Sequence, residues 1–218
     1  MQNHRKWLAG AVAGLLAVSA QAAAIGFNFS ADTQGWTVFD GGALAWRSAG
    51  GNPGGYLEIG DASDGDFRLE APAAALGDWS AYLGGTLRFD AKNLDGATPD
   101  WGGFGLVEIT GLVGGASRTL TLDIEPGAEP AIGAGWKTYS VALTPELWGA
   151  DLAAVLANLT RLTIEPEFHA GQPELVGVDN IRIASAAVPG EVPEPGALGL
   201  VLAGLGLLAA QRGARPRA

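Results

Sequence analysis

The strongest constraint in this chain is a set of short segments in which apolar and polar residues alternate one by one, each closed off by Gly, Pro or Asp. Thr86-Leu87-Arg88-Phe89-Asp90 sends Leu87 and Phe89 to one side. Thr119-Leu120-Thr121-Leu122-Asp123-Ile124, Lys137-Thr138-Tyr139-Ser140-Val141-Ala142-Leu143 and Asn180-Ile181-Arg182-Ile183 keep the same period of two. Period two sets one face against a core and the other in water. With residues 27–29, 36–39, 57–59, 67–70, 104–110 and 162–165 read as further strands, about ten short strands fill residues 25–185. That is the spacing of an all-β antiparallel sandwich, and the length of 218 residues suits one such domain with appendages.

One stretch breaks the rhythm. Pro145-Glu146-Leu147-Trp148 leads into residues 151–158, where Leu152, Val155 and Leu156 recur at helical spacing. Thr144 stands as an N-cap before a proline at the first helical position. The expectation is one short helix covering an end of the sandwich and burying those apolar side chains.

Composition removes several chemistries. There is no Cys, hence no disulfide framework, thiolate zinc site or cysteine nucleophile. The only histidines are His4 and His169, too few for a multi-histidine metal cluster. Between Ala23 and Val192 stand 22 acidic and eight basic side chains, a balance that argues against nucleic acid as a partner. His169 reads as a loop residue, no Gly-x-Ser-x-Gly occurs, and Glu165 and Glu167 around Pro166 do not single out a hydrolytic carboxylate pair. The chain therefore reads as a non-enzyme, with polysaccharide hydrolysis as the weakest alternative.

Both ends read as addresses. Arg5 and Lys6 precede an apolar run over residues 7–18, and Ala20-Gln21-Ala22 offers the small residues a signal peptidase requires. About twelve apolar residues are short of the ~20 of a spanning helix, so residues 1–24 read as a cleaved signal peptide, cut after Ala22 or Ala24. Residues 186–191 form a stalk. Then Val192-Pro193-Glu194-Pro195-Gly196 precedes fourteen apolar residues and a basic tail with Arg212, Arg215 and Arg217. The two prolines hold the peptide extended, the apolar stretch spans only about 21 Å as a helix, and the arginines favour the cytoplasmic side.

This tripartite end, residues 192–218, resembles the PEP-CTERM sorting signal. The resemblance implies that Pro193, Glu194 and Pro195 are read by an exosortase of a Gram-negative bacterium after transient inner-membrane insertion. The helix and tail are then removed, and the rest reaches the outer surface or an exopolysaccharide matrix. Within residues 25–185, Gly51-Asn52-Pro53-Gly54-Gly55-Tyr56-Leu57, the block Leu76-Gly77-Asp78-Trp79-Ser80 with Gly84-Gly85-Thr86-Leu87-Arg88-Phe89, and Gly177-Val178-Asp179-Asn180-Ile181 occur in an order that resembles the laminin B (domain IV) module. That module is a jelly roll akin to carbohydrate-binding modules, and the resemblance implies an extracellular sandwich used in adhesion or matrix contact.

No cofactor is required by these readings, but calcium is a candidate. Asp61, Asp64 and Asp66 crowd one turn with hard oxygen ligands, and Asp179 occupies the place where related carbohydrate-binding jelly rolls often carry a structural calcium ligand. Among the tryptophans, Trp36, Trp79, Trp136 and Trp148 read as core, whereas Trp101, in a Gly- and Pro-rich loop, is the candidate for stacking on a sugar. The first functional reading is a non-enzymatic envelope or biofilm-matrix protein; the alternative is a carbohydrate-binding module for a specific exopolysaccharide.

Overall fold

The computed structural model describes residues 22–61, 65–171 and 173–186. Eleven strands follow one another among these residues: β1 (Ile25–Phe27), β2 (Thr37–Phe39), β3 (Gly42–Gly51), β4 (Gly54–Asp61), β5 (Arg68–Glu70), β6 (Thr86–Asn93), β7 (Leu106–Val113), β8 (Ala116–Asp123), β9 (Lys137–Ala142), β10 (Leu159–Ile164) and β11 (Leu175–Ala184). They form two antiparallel sheets. One runs β3-β4-β11-β6-β9, with β1 also paired to β11; the other runs β2-β5-β10-β7-β8. This is the antiparallel sandwich that the period of two predicts.

The alternation places the core. Leu57 and Ile59 on β4, Leu87 and Phe89 on β6, and Val176, Val178, Ile181 and Ile183 on β11 are fully buried. Leu69, Val107, Ile109, Leu162 and Ile164 of the other sheet are equally buried, so the two inner faces share one hydrophobic layer. Tyr139 stacks on Phe89 at 5.4 Å and meets Phe104 edge-on at 4.9 Å, tying the layer together with aromatic contacts.

Strand β11 departs from simple alternation. Val176 and Val178 have even numbers and Ile181 and Ile183 odd ones, yet all four face inward. A register shift between Asp179 and Arg182 against β6 supplies the extra residue, and Asn180 there has φ 49°. An extra residue in one strand of a pair reverses the facing of everything beyond it.

The helical stretch is in two pieces rather than one. α1 (Pro145–Trp148) ends at Gly149, whose φ of 92° no helix tolerates, and α2 (Leu152–Leu156) follows. Thr144 is extended and makes no side-chain cap bond, so proline at the helix start, not capping, sets this end. Leu152, Val155 and Leu156 are buried as the spacing requires. α2 lies close against β7: a Cβ added at Gly111 would collide with the Val155 carbonyl oxygen and lie 2.9 Å from Val155 Cα.

The proposed stalk beyond Ala186, the sorting motif and its basic tail lie outside the described residues, as does the leader up to Gln21. Among the described residues no helix is long and apolar enough to cross a membrane. Because backbone cannot move aside as a flexible side chain does, Gly111→Ala is expected to destabilise the domain by about 1–3 kcal/mol, measurable as a lower urea midpoint with unchanged slope.

Candidate functional site

The outer face of the five-stranded sheet is covered with hydrogen-bonding groups, and the register shows why. Thr37 pairs with Glu70, Glu70 with Thr163, Thr163 with Glu108 and Glu108 with Thr121. Alternation sends Val38, Leu69, Ile164, Val107 and Leu122 toward the core, so this row of three threonines and two glutamates crosses the sheet on its other side, with Thr163 at its centre covered by its neighbours at 1% exposure and the other four reaching solvent. Flanking rows carry Phe39 and Arg68 on one side, and Arg161, Thr110 and Thr119 on the other. The Thr110 and Thr119 hydroxyls lie 2.8 Å apart.

Two arginines organise the charges. Arg68 donates to Glu165 at 3.1 Å and to Glu108 at 3.4 Å. Arg161 reaches Glu70 at 3.4 Å and lies over the Phe39 ring at 4.8 Å, a cation–π contact on an accessible surface. At the Arg68 end, the Trp101 indole N–H donates to Glu165 at 3.0 Å. Gly103 permits this, because any Cβ there would run into the Glu165 carboxylate and the indole nitrogen. Trp101, the ring expected to stack on sugar, is thus partly exposed and held in place at the border of the polar face.

A group of buried carboxyls underlies the same end. Glu165, Glu167 and Glu174 are 2%, 5% and 2% exposed. The Phe67 N–H donates to Glu167 at 2.8 Å, and the Phe168 and His169 N–H groups donate to Glu174, each at 3.0 Å. Burial raises all three against these bonds, lifting Glu167 to about 7 and Glu174 to about 8, with Asp61 and Asp66 adding repulsion. Asp61 and Asp66 both act on Glu167 from nearby, whereas Asp64 falls outside the described residues. Among the described residues no group of three or more acidic or histidine side chains is arranged to hold a metal.

Asp179 sits on the outer side of the six-stranded sheet, fully buried. Its oxygens accept the Asn52 N–H at 2.6 Å and the Asn180 N–H at 2.7 Å. The facing Asp90 accepts from Thr138 at 2.6 Å, Asn52 at 3.0 Å and Asn180 at 2.8 Å. The donor set is backbone and amide N–H plus a hydroxyl, which fastens the β3–β4 turn onto β6 and β11. Burial raises the Asp179 carboxyl, and Asp90 adds to this.

Trp36, Trp79 and Trp148 are core, at 1%, 1% and 5% exposure, but Trp136 is not. It shares a side of β9 with Thr138 and Ser140, meets Tyr56 edge-on at 5.6 Å and lies under Lys92 at 4.7 Å. Sequence reasoning missed Arg68, Glu70, Glu108, Arg161 and Thr163 as a set. The signal was present in the polar members of the alternating segments, but only cross-strand register unites them.

Glu108 and Glu165 approach each other only through Arg68, whose cation stands between them where a substrate would have to lie. His169 Nδ1 lies 2.8 Å from Asp100, in a shallow recess lined by Asp95, Thr98 and Pro173 with no hydroxyl nucleophile but Thr98.

Comparison with known proteins gives the fold independently. No protein-family model and no curated protein matches the chain. Among solved structures, the chain is similar to the carbohydrate-binding module CtCBM11, at 17% identity over 78% of this chain and 100% of that one, with a TM-score of 0.51. It is also similar to the L4b domain of human laminin alpha-2 (14%, 59% and 80%, TM-score 0.47). An exo-beta-agarase matches at 16% identity over 84% of this chain but 30% of its own, with a TM-score of 0.49. The fold is that of the jelly-roll sandwiches of carbohydrate-binding modules.

The raised glutamates give the stability of the domain a direction. Between about pH 4.5 and 8 the folded protein holds protons on Glu167 and Glu174 that the unfolded chain has released, so stability falls as pH rises through that window. Melting between pH 5.5 and 8.5 is expected to drop by roughly 3–10 °C. Glu167→Gln should flatten part of the slope, and an unchanged slope would refute the assignment.

Proposed function

We propose that the protein is an exported, non-catalytic saccharide-binding module whose binding surface is the outer face of the five-stranded sheet. The observation that carries this reading is the row Thr37, Glu70, Thr163, Glu108 and Thr121. Its accessible members, Thr37, Glu70, Glu108 and Thr121, set acceptors and hydroxyls on four strands, two on either side of the buried Thr163, an arrangement suited to the hydroxyl pattern of a sugar chain lying across the sheet. Trp101 and Phe39 supply ring faces at its border, and Arg68 and Arg161 supply fixed, multiple donors. The fold likeness to carbohydrate-binding modules agrees with this choice.

Export rests on the sequence. The leader and the Pro193-Glu194-Pro195 trailer with Arg212, Arg215 and Arg217 support passage through the membrane, processing by an exosortase and delivery to a surface or exopolysaccharide matrix. A structural detail favours one leader cut. The Tyr82 hydroxyl donates to the Ala23 carbonyl at 2.6 Å, an anchor kept by cleavage after Ala22 and lost by cleavage after Ala24. The intact mass of protein recovered from its native host is expected to begin at Ala23 and to end near Pro195; a mass including residues 197–218 would remove the sorting reading.

Affinity electrophoresis through mixed-linkage β-glucan, xylan and agarose tests the binding surface. Retardation is expected in at least one gel, with Trp101→Ala and Glu108→Gln each weakening it about tenfold or more. Retention by none of the three, or retention indifferent to both substitutions, overturns the reading.

A further inference from the structure

The opposite side of the sandwich carries an arrangement that neither the core nor the polar row of the five-stranded sheet accounts for. Arg182 on β11 is the direct cross-strand partner of Arg88 on β6. Leu87, Phe89, Ile181 and Ile183 face inward, so both arginines project from the same outer face, and both are exposed. Like charges directly opposite one another on a sheet are destabilising. Neither arginine forms an ion pair among the described residues, whose pairs use Arg47, Arg68, Arg118, Lys137, Arg161 and His169. In a domain with 22 acidic and eight basic side chains, an unpaired pair of facing arginines is not what random surface charge produces. The carboxylates carried by the same two strands, Asp90 on β6 and Asp179 on β11, are buried and committed to Asn52, Asn180 and Thr138.

The two guanidinium groups also stand in a recess. Together with Asn28, Asn180 and Gly26 they line a cavity of about 270 Å³. Gly26, the β1 residue opposite Arg182, keeps its floor open: a Cβ there would meet no atom within 4 Å. The recess exists because of the β11 bulge, which turns Arg182 outward and swings Asn180 to a positive φ. Two planar forks with the Asn28 carboxamide beside them, and no carboxylate in the lining, suit an oxyanion bound by several N–H donors at once, whereas the Asn180 amide is already given to Asp90 and the Asn52 carbonyl and shapes the wall.

We propose that the Arg88–Arg182 recess binds an oxyanion carried on a saccharide, such as the carboxylate of a uronic acid. The saccharide part rests on the reading of the molecule as a sugar-binding module; the oxyanion part rests on the recess alone. The site lies on the sheet opposite the Thr37–Thr121 row, so the two are separable by experiment.

Calorimetric titration of the full chain with oligogalacturonate, inorganic phosphate and a neutral β-glucan oligosaccharide tests this. Oligogalacturonate is expected to bind, to weaken with added salt, and to lose about tenfold or more in affinity in Arg88→Gln and in Arg182→Gln, while neutral-glucan binding is unchanged by either. Binding of phosphate as tight as that of oligogalacturonate would overturn the saccharide part and leave a free-anion site. Absence of binding by both anions, or binding indifferent to both substitutions, would overturn the proposal whole. Circular dichroism of each variant checks folding, and Arg182→Lys, which keeps the charge but loses the fork, should fall between wild type and Arg182→Gln.

Discussion

A single extra residue in β11 sets up most of what is distinctive in this molecule. β11 is the strand on which β1, β4 and β6 all register, and without its bulge the inward run that begins with Val176 and Val178 would end with Asn180 and Arg182 in the core. With the bulge, four aliphatic side chains enter the hydrophobic layer, and Asp179, Asn180 and Arg182 emerge together on the far side. Asp179 is there an anchor for the β3–β4 turn, and Asn180 tolerates the left-handed backbone that an aliphatic residue would resist.

The two outer faces are polar for different reasons. On the five-stranded sheet, charges are matched in place: Arg68 stands between Glu108 and Glu165, and Arg161 between Glu70 and a ring. That matching holds long side chains in fixed positions, which limits the entropy lost when a ligand settles on them. On the six-stranded sheet, the buried Asp90 and Asp179 are satisfied by neutral donors, and of the exposed arginines Arg47 pairs with Glu58 while Arg88 and Arg182 have no ion pair among the described residues. Four of the eight basic residues, Arg47, Arg88, Lys92 and Arg182, stand on the outer side of this sheet, giving an acidic domain one comparatively cationic side.

Fold class was legible because alternation is a local signal: the segments around Leu87, Leu120, Tyr139 and Ile181 each declare their buried side. β3 escaped, since Gly42 to Gly51 is rich in Gly and Ala and has no clear period, and its pairing with β4 is decided by tertiary context. The helical spacing of Leu152, Val155 and Leu156 places the helical stretch, while Gly149, with its positive φ, divides it into two. The reading of Trp136 as core fails against the parity of Tyr139 and Val141, which puts residue 136 on the outer side. The polar row was not legible as a unit. Glu70, Glu108 and Thr163 are far apart in the chain, and strand order is what makes them neighbours.

Because the two polar faces lie back to back across a single apolar layer about 10 Å thick, a molecule occupying one cannot touch a molecule occupying the other. Were both proposed faces occupied, neither ligand would exclude the other, and the domain would sit between them as a rivet.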